Sequence, residues 1–190
     1  MRRLFSLLAG IVLVLAAASS AADEYTDGVA LFRNSGQSAS FFNNAYGYAI
    51  FPSVGKGGLI VGGGRGTGRV YVHDVYVGDS TMTQLSVGLQ AGGQAYSQII
   101  FFEDQRAFNE FTSGNFEFGA DASAVAITAA AGAGTSTTGG ATASASSGQK
   151  DARTVGKYYK GYAVFTIVKA GAMVEAAIAG QKFTYTKKGA

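Results

Sequence analysis

Cysteine and tryptophan are absent from this chain of 190 residues, and histidine and proline each occur once. Without cysteine the protein has no disulfide, no thiol nucleophile and no lipid-modified cysteine of the kind that anchors bacterial lipoproteins. The fold must therefore depend on an ordinary hydrophobic core. The chain is long enough to bury one, and nothing in its length requires a second domain.

Charge is also scarce, since only 14% of the residues are charged while 47% are hydrophobic and 28 are glycine. We therefore expect exposed apolar surface or bare backbone, which suits a partner that is itself partly apolar. The formal net charge is +3, and it falls to +1 if Arg2 and Arg3 are removed with a leader peptide. This balance is a poor match for a nucleic-acid-binding protein, which concentrates positive charge against phosphates.

The first residues predict a secretory signal peptide over 1–22. Arg2 and Arg3 precede an apolar run that reaches about Ala18, and small residues follow up to Ala22. We place cleavage before Asp23, so the predicted domain is 23–190. A retained membrane anchor is the alternative, but the apolar run is shorter than the roughly 20 residues that a spanning helix needs.

Helical patterns are few and short. Residues 23–44 predict two short helices with a break at Gly36, and 103–111 predicts a third helix that ends before Gly114. The interior pair His73-Asp74 lies between two Val-Tyr-Val runs and predicts a hairpin tip, and Gly78-Asp79 predicts a second turn.

Strand patterns dominate the remainder of the chain. They predict a mainly β domain of the α+β class: a strongly bent antiparallel sheet or barrel-like body with a few short helices. Residues 130–149 are almost all Ala, Gly, Ser and Thr and predict a mobile loop. The predicted strands are 45–51, which Pro52 ends, then 69–77, 81–89, 94–102, 123–129, 157–169, 173–179 and 182–187.

Catalytic motifs are absent from the sequence or incomplete. The chain has no G-x-S-x-G, and His73 is expected in a solvated turn. Ser53 and Lys56 have S-x-x-K spacing, but the S-D-N and K-T-G partner motifs of the enzymes that use it are missing. Phosphate-loop motifs are missing as well, and Glu103-Asp104 fits a helix start better than a metal site. We expect a protein that is not an enzyme and that binds no cofactor or metal.

Basic residues beside glycine and aromatic residues form the best candidate surface. Glycine-rich turns can bind anions through backbone N–H groups, and aromatic rings can enter a membrane interface. The alternative is that the rings face the core and the charges only aid solubility. Phe41-Phe42 likewise predicts either a contact with the sheet or a membrane-inserting edge. The basic residues are Lys56, Arg65 and Arg69, and the nearby rings are Tyr46, Tyr48, Phe51 and Tyr71; the closing segments are also basic, through Lys150, Lys157, Lys160, Lys169, Lys182, Lys187 and Lys188.

Four blocks along the chain resemble the SYLF lipid-binding family, also described as a yeast actin-binding-like domain family. In order and spacing they cover about residues 30–185, so the resemblance includes nearly the whole predicted domain. The blocks are GYAIFPSVGKGG at 47–58, LSVGLQAGGQAY at 85–96 with IIFFED at 99–104, GNFEFGADASA at 114–124, and GYAVFTIVKAG at 161–171 with GQKF at 180–183.

The resemblance implies non-catalytic binding of phospholipid or another amphiphile. Eukaryotic members bind phosphoinositides and some bind actin, but the predicted signal peptide and the lack of an SH3 or FYVE module make either partner unexpected here. We expect a periplasmic or extracellular protein that associates peripherally with an envelope membrane. The alternative is an envelope structural or protein-interaction module. The candidate lipid-binding residues are Lys56, Arg65, Arg69, Lys169, Lys182, Phe41, Phe42 and Tyr46.

Overall fold

Most of the described chain forms strands of one sheet. The computed structural model describes residues 24–58, 61–87, 94–119, 122, 125–127, 157–170, 178 and 180–190. The predicted signal peptide and the predicted 130–149 loop lie outside these ranges, as does most of the predicted 173–179 strand. The helices are α1 (24–33), α2 (Phe41–Asn44) and α3 (Gln105–Phe111), and the strands are β1 (Gly47–Gly58), β2 (Val61–Val72), β3 (Val75–Val87), β4 (Gln94–Phe102), β5 (Phe116–Glu117), β6 (Val125–Ile127), β7 (Tyr162–Ala170) and β8 (Gln181–Lys187).

The sheet order is β5-β8-β3-β2-β1-β4-β7-β6. Every neighbouring pair is antiparallel except β6 and β7, which are parallel at one end of the sheet. The predicted antiparallel, mainly β fold with a few short helices is therefore confirmed. In the described part of the chain, no helix is both long and apolar enough to cross a membrane.

The sheet curls into a half-barrel. Gln98 on β4 and Gln181 on β8 are four strand positions apart, yet Gln98 Nε2 donates to Gln181 Oε1 over 2.8 Å. Four spacings in a flat sheet would separate them by about 19 Å. The rings of Phe51 on β1 and Phe183 on β8 also meet, with centroids 5.6 Å apart. The two halves of the sheet therefore face each other across an enclosed interior.

Successive side chains along each strand point to opposite faces of the sheet, and this produces a core on each face. On β1, Ala49 and Phe51 belong to the interior core, while Tyr48 and Ile50 belong to the core on the outer face. Helices α1 and α2 cover the outer core, and Phe32 is fully buried there. The predicted pair of helices with a break is therefore confirmed in 24–44.

The prediction that Pro52 ends the first strand is wrong. Strand β1 continues to Gly58, and its pairing with β2 and β4 is irregular between Phe51 and Val54. A bulge is a position where a strand tolerates proline, because no ladder hydrogen bond is required from its nitrogen. The Pro52 carbonyl accepts a hydrogen bond from Ser97 Oγ over 2.6 Å, which fixes the bulge to β4.

The two predicted turns have opposite outcomes. His73 and Asp74 both have positive φ angles, 48° and 62°, and form the β2–β3 turn as predicted. The predicted Gly78-Asp79 turn is wrong, because both residues lie within β3 and pair with β2 and β8. A Cβ atom at Gly78 would lie 2.5 Å from the Thr186 carbonyl oxygen, so this glycine permits close strand packing.

Two glycines of the same run provide a matched stability test. A Cβ atom at Gly68 would lie 2.6 Å from the Phe51 ring, whereas at Gly55 it would have nothing within 4 Å. We expect Gly68→Ala to lower the free energy of unfolding by about 1–3 kcal/mol through overpacking, and Gly55→Ala to change it by less than about 0.5 kcal/mol. Urea unfolding midpoints measure both, and equal midpoints would contradict the close packing of Gly68 against Phe51.

Candidate functional site

A pocket of about 530 Å³ lies where the two ends of the curled sheet approach each other. Strand β5 pairs with β8 at one end, and β7 pairs with β4 and β6 near the other. Between β5 and β7 the contact is made by side chains: the rings of Phe116 and Tyr162 have centroids 4.8 Å apart, and Phe118 lies 5.8 Å from Tyr162. We call this junction the seam.

The pocket has an apolar floor and a charged mouth. Its volume is within the roughly 300–1,000 Å³ of sites that hold one small ligand. Aromatic and aliphatic side chains form the floor, together with small residues that leave it open. The floor residues include Phe116, Phe118, Tyr162, Val164, Phe165, Ile178, Gly119 and Ala122, and the charged residues are Arg106, Glu110, Glu117, Lys157 and Lys160.

Helix α3 forms one wall of the pocket. Asp104 caps the helix, because its Oδ1 accepts a hydrogen bond from the Ala107 N–H over 2.8 Å. One turn along, Arg106 Nη1 pairs with Glu110 Oε2 over 3.2 Å. Arg106 Nη2 also donates to the Lys160 carbonyl over 3.3 Å, so the helix is tied to the turn that precedes β7.

That turn places one lysine at the mouth and one tyrosine on the floor. Lys160 and Gly161 have positive φ angles, 52° and 90°, the pattern of a type I′ turn. The Tyr159 and Tyr162 backbone groups bond each other in both directions, over 2.8 and 3.0 Å. The backbone angle of Gly161 favours glycine, and a Cβ atom there would lie 2.6 Å from Arg106 Nη2 and displace the guanidinium group.

The charged lining residues carry a net positive charge, with three cations and two carboxylates. Glu110 is paired with Arg106, and Glu117 is paired with Lys182 Nζ over 3.4 Å. Among the described residues, no acidic group pairs with Lys157, which is exposed. The mouth therefore presents ammonium groups beside an aromatic floor, an arrangement that suits an anionic group attached to an apolar chain.

Strand register brings two predicted site residues into one row on the outer face. Arg65 on β2 is opposite Thr83 on β3, and Thr83 is opposite Lys182 on β8. All three are exposed, and the next residue in the row is Glu117 at the mouth of the pocket. We call Arg65, Thr83 and Lys182 the basic row. Two strand spacings separate its cations by about 10 Å.

The other predicted cations are dispersed. Arg69 is half-buried between the rings of Tyr25 and Tyr76, with its Cζ atom 4.2 and 5.1 Å from their centroids, and thus holds α1 to the sheet. Lys169 is exposed at an irregular position of β7. The backbone of Lys56 pairs with Gly64 and Gln94, but its side chain lies outside the described part of the chain.

The predicted aromatic residues are used in packing. Phe41 is only 7% exposed and belongs to the outer core. The Phe42 ring lies 4.9 Å from that of Phe101 and beneath the Arg33 guanidinium. Tyr46 is half-buried against His73 and Phe108. These contacts correspond to the core-packing alternative that the sequence left open for Phe41-Phe42.

The glycine-rich segment is paired backbone in its described part, and not an anion-binding turn. Gly55 is opposite Arg65 and Gly57 is opposite Gly63, all in the β1–β2 ladder. Their backbone groups therefore face a neighbouring strand, which removes the predicted nest from these positions. Ser53 of the S-x-x-K spacing is exposed and does not line the pocket. The described residues contain no group of three or more His, Asp or Glu that could hold a metal ion.

The described residues form a curled β-sheet domain with a pocket whose mouth is basic. A family model described as Ysc84, Las17-binding protein actin regulator, matches residues 83–188, which is more than half of the chain. The protein belongs to this family, the SYLF family that its glycine-aromatic blocks resemble. It is also similar to Beta cell expansion factor A of Aeromonas veronii, with 29% identity over 161 residues. The match covers 84% of this chain and 53% of the relative, so the chain spans about half the length of that relative.

Tyr162 links the pocket floor to α3 and provides a pH-dependent test. Its hydroxyl lies 3.0 Å from the Ala107 carbonyl and 3.1 Å from Glu110 Oε2, and burial together with the Glu110 carboxylate raises the pKa of Tyr162. Because the folded state holds the proton more tightly than the unfolded state, this contribution to stability is present below about pH 10 and is lost above it.

We therefore expect Tyr162→Phe to lower the free energy of unfolding by about 1 kcal/mol at neutral pH. Above pH 10 the free energy of unfolding of the variant should fall less steeply with pH than that of the wild type. The two slopes should differ by the amount expected for the release of about one proton. Urea unfolding at several pH values measures both effects. Parallel pH profiles for the two proteins would contradict the buried, protonated role of this hydroxyl.

Proposed function

We propose that this protein binds phospholipid or another amphiphile, without catalysis, at a bacterial envelope membrane. The observation that carries the proposal is the pocket at the seam, where lysine ammonium groups adjoin an aromatic floor. Membership of a family of binding domains supports it. The signal-peptide pattern at 1–22 supports export to the periplasm or medium, and there we propose that the protein associates peripherally with the membrane.

The basic row supplies the contact with head groups. A Lys or Arg near an anionic bilayer is worth about 1 kcal/mol, and Arg65 and Lys182 point to the same side of the sheet. Lys182 is paired with Glu117, which lines the pocket, so the row and the mouth form one continuous charged surface. We assign the head groups to this surface and the apolar part of the ligand to the pocket floor.

The remaining candidate residues have lesser roles in the proposal. Lys169 adds exposed charge, and Lys56 stays a prediction from the family motif. Arg69 is engaged by Tyr25 and Tyr76, so we assign it to stabilising the fold. For the same reason we assign Phe41, Phe42 and Tyr46 to core packing and not to membrane insertion.

Vesicle flotation with matched charge reversals tests the proposal. We expect the exported protein, purified from the periplasm or medium, to float with vesicles that contain an anionic phospholipid. Arg65→Glu should weaken this binding by about fivefold to thirtyfold, from the loss of one cation and the gain of one anion. The control is Lys187→Glu, an equal charge change about 17 Å further along the sheet, since Lys187 is opposite Gly78.

A second candidate function is an envelope structural or protein-interaction module. The family description, Las17-binding protein actin regulator, favours it because it refers to a protein partner. Flotation separates the two candidates. A folded protein that binds no vesicle of any composition would refute the membrane proposal and leave the interaction module. Equal weakening by Arg65→Glu and Lys187→Glu would show that only overall charge matters and would remove the basic row from the proposal.

A further inference from the structure

The seam differs from the junction of a closed β-barrel. In a closed barrel the first and last strands bond each other, so no edge is left. In the part of the chain that the structure describes, β5 contributes only Phe116 and Glu117 at this junction, and both are already paired with β8. Side chains from the two ends fill the gap, with the Phe116 and Tyr162 rings in contact. The pocket at this junction is therefore lined by apolar side chains from both ends of the sheet.

The seam is poorly suited to a peptide that would add a strand to the sheet. A peptide that extends a sheet needs a row of open backbone groups. The two-residue β5 offers very few, and the Tyr159–Tyr162 turn satisfies its own backbone hydrogen bonds. An occupant that makes apolar contacts and needs no backbone partner fits better.

The size of the pocket favours a ligand with one chain. About 530 Å³ falls in the middle of the range for a single small ligand. A phospholipid with two acyl chains has about twice the apolar volume of the corresponding single-chain lipid. It would leave its second chain outside, in contact with water or bilayer.

The charges at the mouth favour an anionic head. Arg106 holds Glu110 and Lys182 holds Glu117, so both carboxylates of the lining have a cation close by. Lys157 has no acidic partner among the described residues and is exposed at the pocket rim. A carboxylate or phosphate at the mouth could therefore pair with Lys157 while its chain lies on Phe118, Tyr162 and Val164.

We propose that the seam pocket binds one single-chain amphiphile with an anionic head, and that Lys157 contacts the head. The proposal rests on the proposed function and narrows it, because it specifies capture of a monomeric lipid in addition to contact with a bilayer. The shared ligand chemistry is one acyl chain with a carboxylate or a phosphate. A free fatty acid and an anionic lysophospholipid are its two sources.

Calorimetric titration with a series of monomeric fatty acids from octanoate to stearate tests the pocket. We expect affinity to rise by roughly fourfold per methylene while the chain is being buried, and to level off once the pocket is full. Lysophosphatidylglycerol in the same titration separates the two ligand sources. An affinity that rises without levelling, or no binding of any member of either series, would overturn the proposal.

Two variants test the position of the ligand. Ala122 lines the pocket and is half-buried, so Ala122→Trp should fill the space and weaken fatty-acid binding by at least about tenfold. Lys157→Glu should weaken binding of the carboxylate by about tenfold and leave that of the alcohol with the same chain nearly unchanged. Lys157 is exposed, so we expect Lys157→Glu to fold. It therefore still tests the position of the ligand if Ala122→Trp does not fold. Lys187→Glu is the matched control for charge.

The possible failures are distinguishable. If vesicles bind but no single-chain amphiphile does, the pocket proposal is wrong and membrane binding stands. If a single-chain amphiphile binds but vesicles do not, the pocket proposal stands and the bilayer contact is wrong. Equal affinities for the carboxylate and the alcohol would exclude Lys157 as the head contact, and unchanged affinity in a folded Ala122→Trp would place the ligand elsewhere.

Discussion

A pair of buried glutamines holds the curled sheet in its shape. The side chains of Gln98 and Gln181 bond each other in both directions, over 2.8 and 3.1 Å, and Gln181 also donates to the Tyr96 hydroxyl. Both glutamines are fully buried, and a buried amide without a partner would cost about 1–3 kcal/mol. Only a curl that brings β4 opposite β8 satisfies both. The interior core and the approach of the two sheet ends depend on that curl.

Within the described residues the curl stops before the barrel closes, and the candidate site is a consequence of that geometry. A complete barrel would satisfy its edge backbone groups with hydrogen bonds and would leave no gap to fill. Here the last contact is made by rings from β5 and β7, while α3 closes one side through Arg106 and Tyr162. The side chains at this seam belong to the interior core and are buried, and the pocket reaches them from the side that the sheet leaves open. The proposed binding pocket and the incomplete closure are thus the same structural feature.

Sequence patterns predicted what is local and missed what depends on register. The His73-Asp74 turn and the helix after Glu103 follow from neighbouring residues, and both are confirmed. The wrong turn at Gly78 arose because glycine serves close packing as well as turns, and Gly78 faces Tyr185 and Thr186 from a distant strand. The pocket combines residues near 106, 117, 160 and 178, which no short-range pattern connects. Its sequence signal was limited to the basic character of the closing segments.

The structure also changes which cations can act together. From the sequence, Lys56, Arg65 and Arg69 form a group because they are close along the chain. In the sheet, the Arg69 guanidinium contacts the rings of Tyr25 and Tyr76. Arg65 instead lies in the same row as Lys182, which is more than a hundred residues further along the chain. The Lys182–Glu117 pair then connects that row to the pocket mouth. Charge and apolar surface do adjoin in this protein, but they meet at the seam of the sheet and not along the glycine-rich strands, where neighbouring backbone is already paired.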